Sequence, residues 1–222
     1  MSEVIAVDGP AASGKGTLAR RLAKQYRFAH LDTGRLYRGV AWRVIQTGTD
    51  PLQEAACAAL AGALEAHTLD SPDLRSEAVG RMASRISAFP AVRQALLDYQ
   101  RRFMAHPPGG ARGAVLDGRD IGTVIAPGAR AKLFVTASVE ERARRRHKEL
   151  LDQGSKAIYA AVLQDLRDRD ARDSSRAAAP LVQAADAFLL DTTSMDADAA
   201  FAAALAFVTS RLGPAPADSV QS

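Results

Sequence analysis

The opening of the chain constrains its fold more than any other stretch. Glu3-Val4-Ile5-Ala6-Val7-Asp8 is built of alternating β-formers and runs straight into Gly9-Pro10-Ala11-Ala12-Ser13-Gly14-Lys15-Gly16-Thr17. An amphipathic stretch, Leu18-Ala19-Arg20-Arg21-Leu22-Ala23, follows at once. Strand, glycine-bounded loop with a Gly-Lys pair, then helix is the layout of a phosphate-binding loop. Glycines let consecutive backbone N–H groups turn inward on a polyphosphate, with the positive end of the helix dipole behind it. Lys15 adds a mobile cation that follows charge on the β- and γ-phosphates. The bland alternative is a glycine-rich turn with a surface lysine. Spacing and both flanks favour nucleotide binding.

One position departs from the usual loop. Ser or Thr normally follows the lysine, where its hydroxyl meets Mg²⁺. Here Gly16 stands there and Thr17 comes one later, about 100° further round a helix. Thr17 is therefore read as a phosphate contact and not as a direct metal ligand.

At 222 residues the chain can bury a full core as one domain with insertions. No run of about 18 uncharged apolar residues is present, so no membrane span is expected. The strand at the N-terminus leaves no room for a signal peptide. The single cysteine, Cys57, lies in an Ala-rich helical run and reads as a small buried hydrophobe. A soluble, cytoplasmic protein without disulfides is expected. The formal charge is +4 with a pI near 9.5, and arginine supplies 24 of the 29 basic residues. Aromatics do not interleave these residues and no nucleic-acid module is visible. Clamping of phosphates by guanidinium groups accounts better for them.

Five short apolar segments, 4–7, 28–31, 114–116, 132–135 and 187–190, read as strands covered on both faces. Helical patterns separate them, which gives an α/β, doubly wound, five-stranded parallel sheet. Ser138-Val139-Glu140-Glu141 is a capping box. Thr193 or Ser194 is expected to cap the last helix, which ends near Leu212 before Gly213-Pro214. A single kinase-like domain over 1–212 is expected, with core segments 1–48, 111–151 and 180–212. A helical insertion over 49–110 would bind the acceptor, and a helical lid would span 152–179. Residues 213–222 read as a disordered tail.

Asp117, ending the third strand segment, fits the acidic position that orients Mg²⁺ across from the phosphate loop. Asp32 is a second candidate, nearly as well explained as a helix cap. Gly118 and Arg119 follow Asp117 where water-activating ATPases place a glutamate, which favours transfer to an acceptor over hydrolysis. No asparagine occurs, so a guanine-reading Asn-Lys-x-Asp motif is excluded. The four histidines are scattered and give neither a zinc site nor a catalytic triad. Arg169, Asp173 and Arg176 share a face on a continuous helix. They suit either a nucleotide, cations for phosphate and a carboxylate for sugar, or an exposed helix laced with ion pairs. Arg142, Arg145 and Arg146 either reach ATP or are solvated.

Several motifs stand in order: Gly9-Pro-Ala-Ala-Ser-Gly-Lys-Gly-Thr17, Leu31-Asp-Thr-Gly-Arg-Leu-Tyr-Arg38, Ala88-Phe-Pro-Ala-Val-Arg93, Leu116-Asp-Gly-Arg-Asp-Ile-Gly-Thr123 and Arg169-Asp-Ala-Arg-Asp-Ser-Ser-Arg176. Together they resemble bacterial cytidylate kinases, of the nucleoside monophosphate kinase fold, over nearly the whole chain. The resemblance implies transfer of the γ-phosphate of ATP to CMP or dCMP with Mg²⁺. It implies that residues 9–17 and Arg142 hold ATP, and that Ser84, Arg93 and Asp120 read cytosine. Arg38, Arg119 and Arg176 would hold the CMP phosphate, with Thr33 nearby, while Arg169 and Asp173 address the sugar. Lys15, Arg119 and Arg176 would be the catalytic residues. No nucleic-acid or membrane partner and a monomeric state are expected. Two alternatives stand beside this: another small P-loop kinase acting on a different monophosphate or an alcohol, and a non-catalytic ATP-dependent binding protein. One departure is visible. Such kinases typically carry a small extra β-sheet in the insertion, whereas this segment is Ala-rich, short and poor in strand formers.

Overall fold

A computed structural model describes residues 2–216 of the chain. Five strands, β1 (Glu3–Asp8), β2 (Ala29–Asp32), β3 (Gly113–Gly118), β4 (Ala131–Thr136) and β5 (Phe188–Asp191), form one sheet in the order β2-β3-β1-β4-β5. Every pairing is parallel, with Asp8 opposite Gly118 and Asp32 opposite Asp117. Each strand lies where the sequence places one, with ends shifted by one or two residues.

Alternation along β1 sorts its side chains between two layers. Ile5 and Val7 pack with Leu18 and Leu22 of helix α1 (Lys15–Tyr26) and Val208 of helix α8 (Ala197–Leu212). Ala6 faces the other way, toward Leu36 and Val40 of helix α2 (Thr33–Thr47). Leu22 and Leu36 are fully buried, each contributing about 1.5–3 kcal/mol relative to an exposed side chain.

Between β2 and β3 the chain is helical, with α3 (Glu54–Gly62), α4 (Glu77–Ile86) and α5 (Pro90–Ala105), and no strand occurs among the residues of this segment. Pro72 and Pro90 sit at helix starts, where a missing N–H costs nothing. Cys57 is fully buried in α3. Beyond β4, α6 (Val139–Asp152) packs against α7 (Tyr159–Ser175) through Ala143, Leu150, Val162 and Leu166, a small core that also takes in Ala11 of the phosphate loop. The loop is thus packed from the sheet side and from α6–α7.

Three local expectations are corrected. Ser138 accepts from Glu141 N at 3.2 Å, but the Glu141 carboxylate does not return the favour, because Arg144 and Arg145 engage it at 2.9 Å each. Asp196, and neither Thr193 nor Ser194, caps α8, accepting from Asp198 N and Ala199 N; the Thr193 hydroxyl is committed to Asp191. The proposed tail begins ordered: the Tyr26 hydroxyl donates to Gly213 O at 3.1 Å and Ala215 packs on the core. Residues 217–222 of that tail lie outside the described residues.

Candidate active site

The loops that follow β1, β2 and β3 stand side by side at the carboxyl ends of adjacent strands, the customary ligand position in open α/β sheets. Gly9 leaves β1 with φ 151°, and a Cβ there would lie 2.0 Å from Val135 O, so only glycine lets the loop turn beneath β4. Gly14 caps α1 in the left-handed region, φ 87°, and brings the first N–H groups of α1 to the loop.

Residues 11–17 line one wall of a cavity of about 500 Å³; Gly9 and Pro10 lie behind it. Lys15, Arg38, Arg119, Arg169 and Arg176, from four separate segments, all face this space. At its far end Arg93 and Asp120 form an ion pair, with the Arg93 guanidinium 5.5 Å from the Tyr37 ring. Ser84 opens into an adjoining cavity of about 160 Å³ and accepts from Arg172 Nε at 3.3 Å. Thr33 is buried and donates to Asp117 O at 2.8 Å.

This concentration of cations carries an electrostatic signature. Burial, then Arg119, lowers Lys15 to about 7. Burial and a neighbouring arginine likewise lower Arg38 and Arg169, and burial lowers Arg176. One carboxylate holds the cluster together. Asp173 pairs with Arg119 at 2.8 Å, with Arg176 more closely, and with Arg169 at 4.0 Å. Burial alone would raise the Asp173 carboxyl, yet these three guanidiniums outweigh it and hold it below the ordinary carboxylate range. Arg169 Nε and Arg176 Nε are buried donors without a protein acceptor among the described residues. Buried, mutually repelling cations with spare donors fit a polyanion.

Some residues stand elsewhere than the sequence suggests. Arg142 does not line the cavity. Its guanidinium donates to Ala137 O at 2.9 Å, Ala11 O at 3.3 Å and Asp170 at 2.6 Å, bracing the phosphate loop against α7. Its neighbours Arg145 and Arg146 face the cavity instead. Arg176 shares the Arg169–Asp173 face, but not as a helical residue: α7 ends at Ser175, and Arg176 turns back from an extended backbone. Asp32 caps α2 through Arg35 N at 3.2 Å, while also lining the cavity. Asp117 Oδ1 accepts from His30 Nε2 at 2.8 Å, and its Oδ2 faces Gly16.

Sequence reasoning missed Tyr37, Ser87, His30 and Asp8. Ser87 accepts from Arg176 Nη2 at 2.9 Å, and Tyr37 has its phenol pushed up to about 12 by burial. Tyr37 had a readable signal in its place beside Arg38; the others are set by contacts distant in sequence.

A parallel sheet with a glycine cradle at its switch point and a ring of arginines defines a P-loop nucleotide-binding α/β protein. The model of the cytidylate kinase family matches residues 5–210. The cytidylate kinase of Paramagnetospirillum magneticum is 56% identical over 211 residues, covering 95% of this chain and 100% of that one. That of Xanthobacter autotrophicus is 60% identical over 209 residues, covering 94% and 98%. Among solved structures, an uncharacterized protein from Eubacterium ventriosum superposes with a TM-score of 0.53 at 13% identity, over 95% of this chain and 100% of that one, a likeness of fold alone. The chain belongs to the cytidylate kinase family, and it is a phosphotransferase that passes the γ-phosphate of ATP to CMP or dCMP.

Proposed function

We propose that the cavity holds the two nucleotides end to end, donor phosphates on residues 11–17 and the acceptor base at Arg93 and Asp120. One observation carries this: Lys15, Arg38, Arg119 and Arg176 share one space whose two ends differ in kind, a backbone cradle at one and a carboxylate–guanidinium pair at the other. Cytosine presents an N4 amine to a carboxylate or hydroxyl and N3 and O2 to a guanidinium. Uracil reverses the first two, at about 1–3 kcal/mol per unsatisfied group. Arg93, Asp120 and Ser84 therefore select CMP, Arg38, Arg119 and Arg176 grip its phosphate, and Arg169 and Asp173 serve the sugar once Asp173 exchanges its guanidiniums for ligand. Behind Gly14 and Thr17, a further cavity of about 280 Å³ reaching Arg145, Thr192 and Met195 extends the donor side.

In the transfer a CMP phosphate oxygen forms a bond to the γ-phosphorus as the bond to the β-bridging oxygen breaks, and ADP departs. The attacking phosphate oxygen is already nucleophilic, so no general base is required. Lys15, Arg119 and Arg176 neutralise the charge spread over the transferring group. A Mg²⁺ ion fits the donor set. Asp32 and Asp117 both line the cavity beside the phosphate loop, and carboxylate oxygens are the hard donors that Mg²⁺ takes alongside phosphates and water. Asp117 and Asp32 are the carboxylates that would hold it, and when bound it would withdraw charge from the phosphates. We infer a cytoplasmic monomer with no nucleic-acid partner; the last is supported by the site's arginines, which converge on one cavity instead of forming an exposed basic stripe.

Coupled ADP release with CMP, dCMP, UMP and AMP as acceptors tests the assignment. CMP or dCMP is expected to exceed the others in kcat/KM by at least tenfold; equal or better turnover of UMP or AMP overturns it.

A further inference from the structure

Asp8 sits at the end of β1, one residue before the phosphate loop, and is almost fully buried. Its two carboxylate oxygens accept from backbone groups 113 and 114 residues away: Ile121 N–H at 2.8 Å and Gly122 N–H at 2.7 Å. These are the first two N–H groups of a single π-turn, Ile121–Ile125, whose cap residue is Asp120. An aspartate in a cap position ordinarily turns its own carboxylate onto such N–H groups. Asp120 does not; its carboxylate goes to Arg93.

We propose that Asp8 is a positioning residue for base selectivity: it caps the Asp120 turn from another strand, and so leaves the Asp120 carboxylate free to face Arg93 and the base. The proposal rests on the reading of Asp120 as a cytosine-contacting residue. Two oxygens on two successive N–H groups fix the rotation of the turn as well as its position. Because Asp8 adjoins Gly9, the same contact sets the distance between the donor cradle and the acceptor reader.

The cap is sensitive to protons. Facing Asp8 are Arg119 and Asp120 at the head of the turn, and Lys132 of β4, which packs beside Gly122 with its ammonium on Asp186 at 2.9 Å. The turn itself carries no charged residue. Burial pushes the Asp8 carboxyl up to about 6, against the pull of the two N–H groups. Protonation places a hydrogen on an oxygen that faces an N–H, and one of the two acceptances is lost. A folded-state value above the ordinary one means that the ionised cap is complete above about pH 6 and fails as pH falls through it.

The ratio of kcat/KM for CMP to that for UMP isolates this effect, because the two substrates' phosphates titrate alike and cancel. For the unaltered enzyme the ratio is expected to be flat from pH 7 to 8. At pH 5.5 about three-quarters of Asp8 is protonated; if that form is tenfold less selective, the ratio falls about threefold. Asp8→Asn is expected to lower the ratio at least tenfold at pH 7.5, to make it independent of pH, and to leave KM for ATP within about threefold of the unaltered value. A flat ratio down to pH 5.5 in the unaltered enzyme overturns the proposal, and this readout does not require the variant to fold. Equal rises in KM for ATP and CMP in Asp8→Asn also overturn it, since Asp8 would then anchor only the phosphate loop. Asp120→Asn separates the two levels: an unchanged ratio there removes the base-reading assignment itself, whereas a collapsed ratio beside an intact one in Asp8→Asn removes Asp8 alone.

Discussion

Binding of Mg-ATP should draw a proton onto Lys15. Burial, reinforced by Arg119, lowers this ammonium to about 7 in the free protein, with its Nζ donating to Pro10 O at 3.3 Å. Polyphosphate beside it favours the charged form and returns the group toward the ordinary lysine range. At pH 7.5 about three-quarters of free protein carries neutral Lys15, so about three-quarters of a proton is taken up per nucleotide bound. The sign follows: affinity is greatest where Lys15 is already charged and falls as pH rises, by about fivefold between pH 7 and 8. Magnesium keeps the nucleotide phosphates fully ionised over this range, so the change belongs to the protein. Calorimetric titration in two buffers of different ionisation enthalpy at one pH measures the uptake directly. Lys15→Met should abolish it. A slope indistinguishable from zero in the unaltered protein, or the same slope in Lys15→Met, refutes the reasoning.

Arg93→Ala leaves the Asp120 carboxylate buried without its partner, a loss of about 3–5 kcal/mol shared between folding and acceptor binding. KM for CMP should rise at least tenfold with KM for ATP within about threefold; the reverse pattern removes Arg93 from the base-reading group. Gly9→Ala forces a methyl group into Val135 O, and a lowering of the melting temperature by about 10 °C is expected. A melting point within about 3 °C of the unaltered protein contradicts the close approach of loop and β4.

Local chemistry carried the sequence reading far. The apolar segments around Ile5, Leu31, Val115, Leu133 and Leu190 could hardly be anything but buried strands, and the Gly-Lys loop announced its own role. Ser71-Pro72 and Phe89-Pro90 read as breaks in the insertion, and in the structure each proline opens a helix. What escaped depends on contacts between distant segments. Arg142, Arg145 and Arg146 look interchangeable along α6, and only the docking of α7 decides that Arg142 is spent on Ala11, Ala137 and Asp170. Asp8 reads as the polar end of a strand, since its partners lie past β3. Asp196 outcompetes Thr193 as a cap because Asp191 has already claimed the threonine hydroxyl.

The central place of β1 has a consequence for how the polypeptide matures. The strand is made first yet pairs in the sheet with β3 and β4, so it has no strand partner until residues 113–118 and then 131–136 emerge from the ribosome. At ordinary synthesis rates that interval is roughly 5–20 s, during which an apolar ribbon waits unpaired. Nascent copies of this protein should therefore be most vulnerable to aggregation, and most attractive to chaperones, until β3 has emerged, past the middle of the chain.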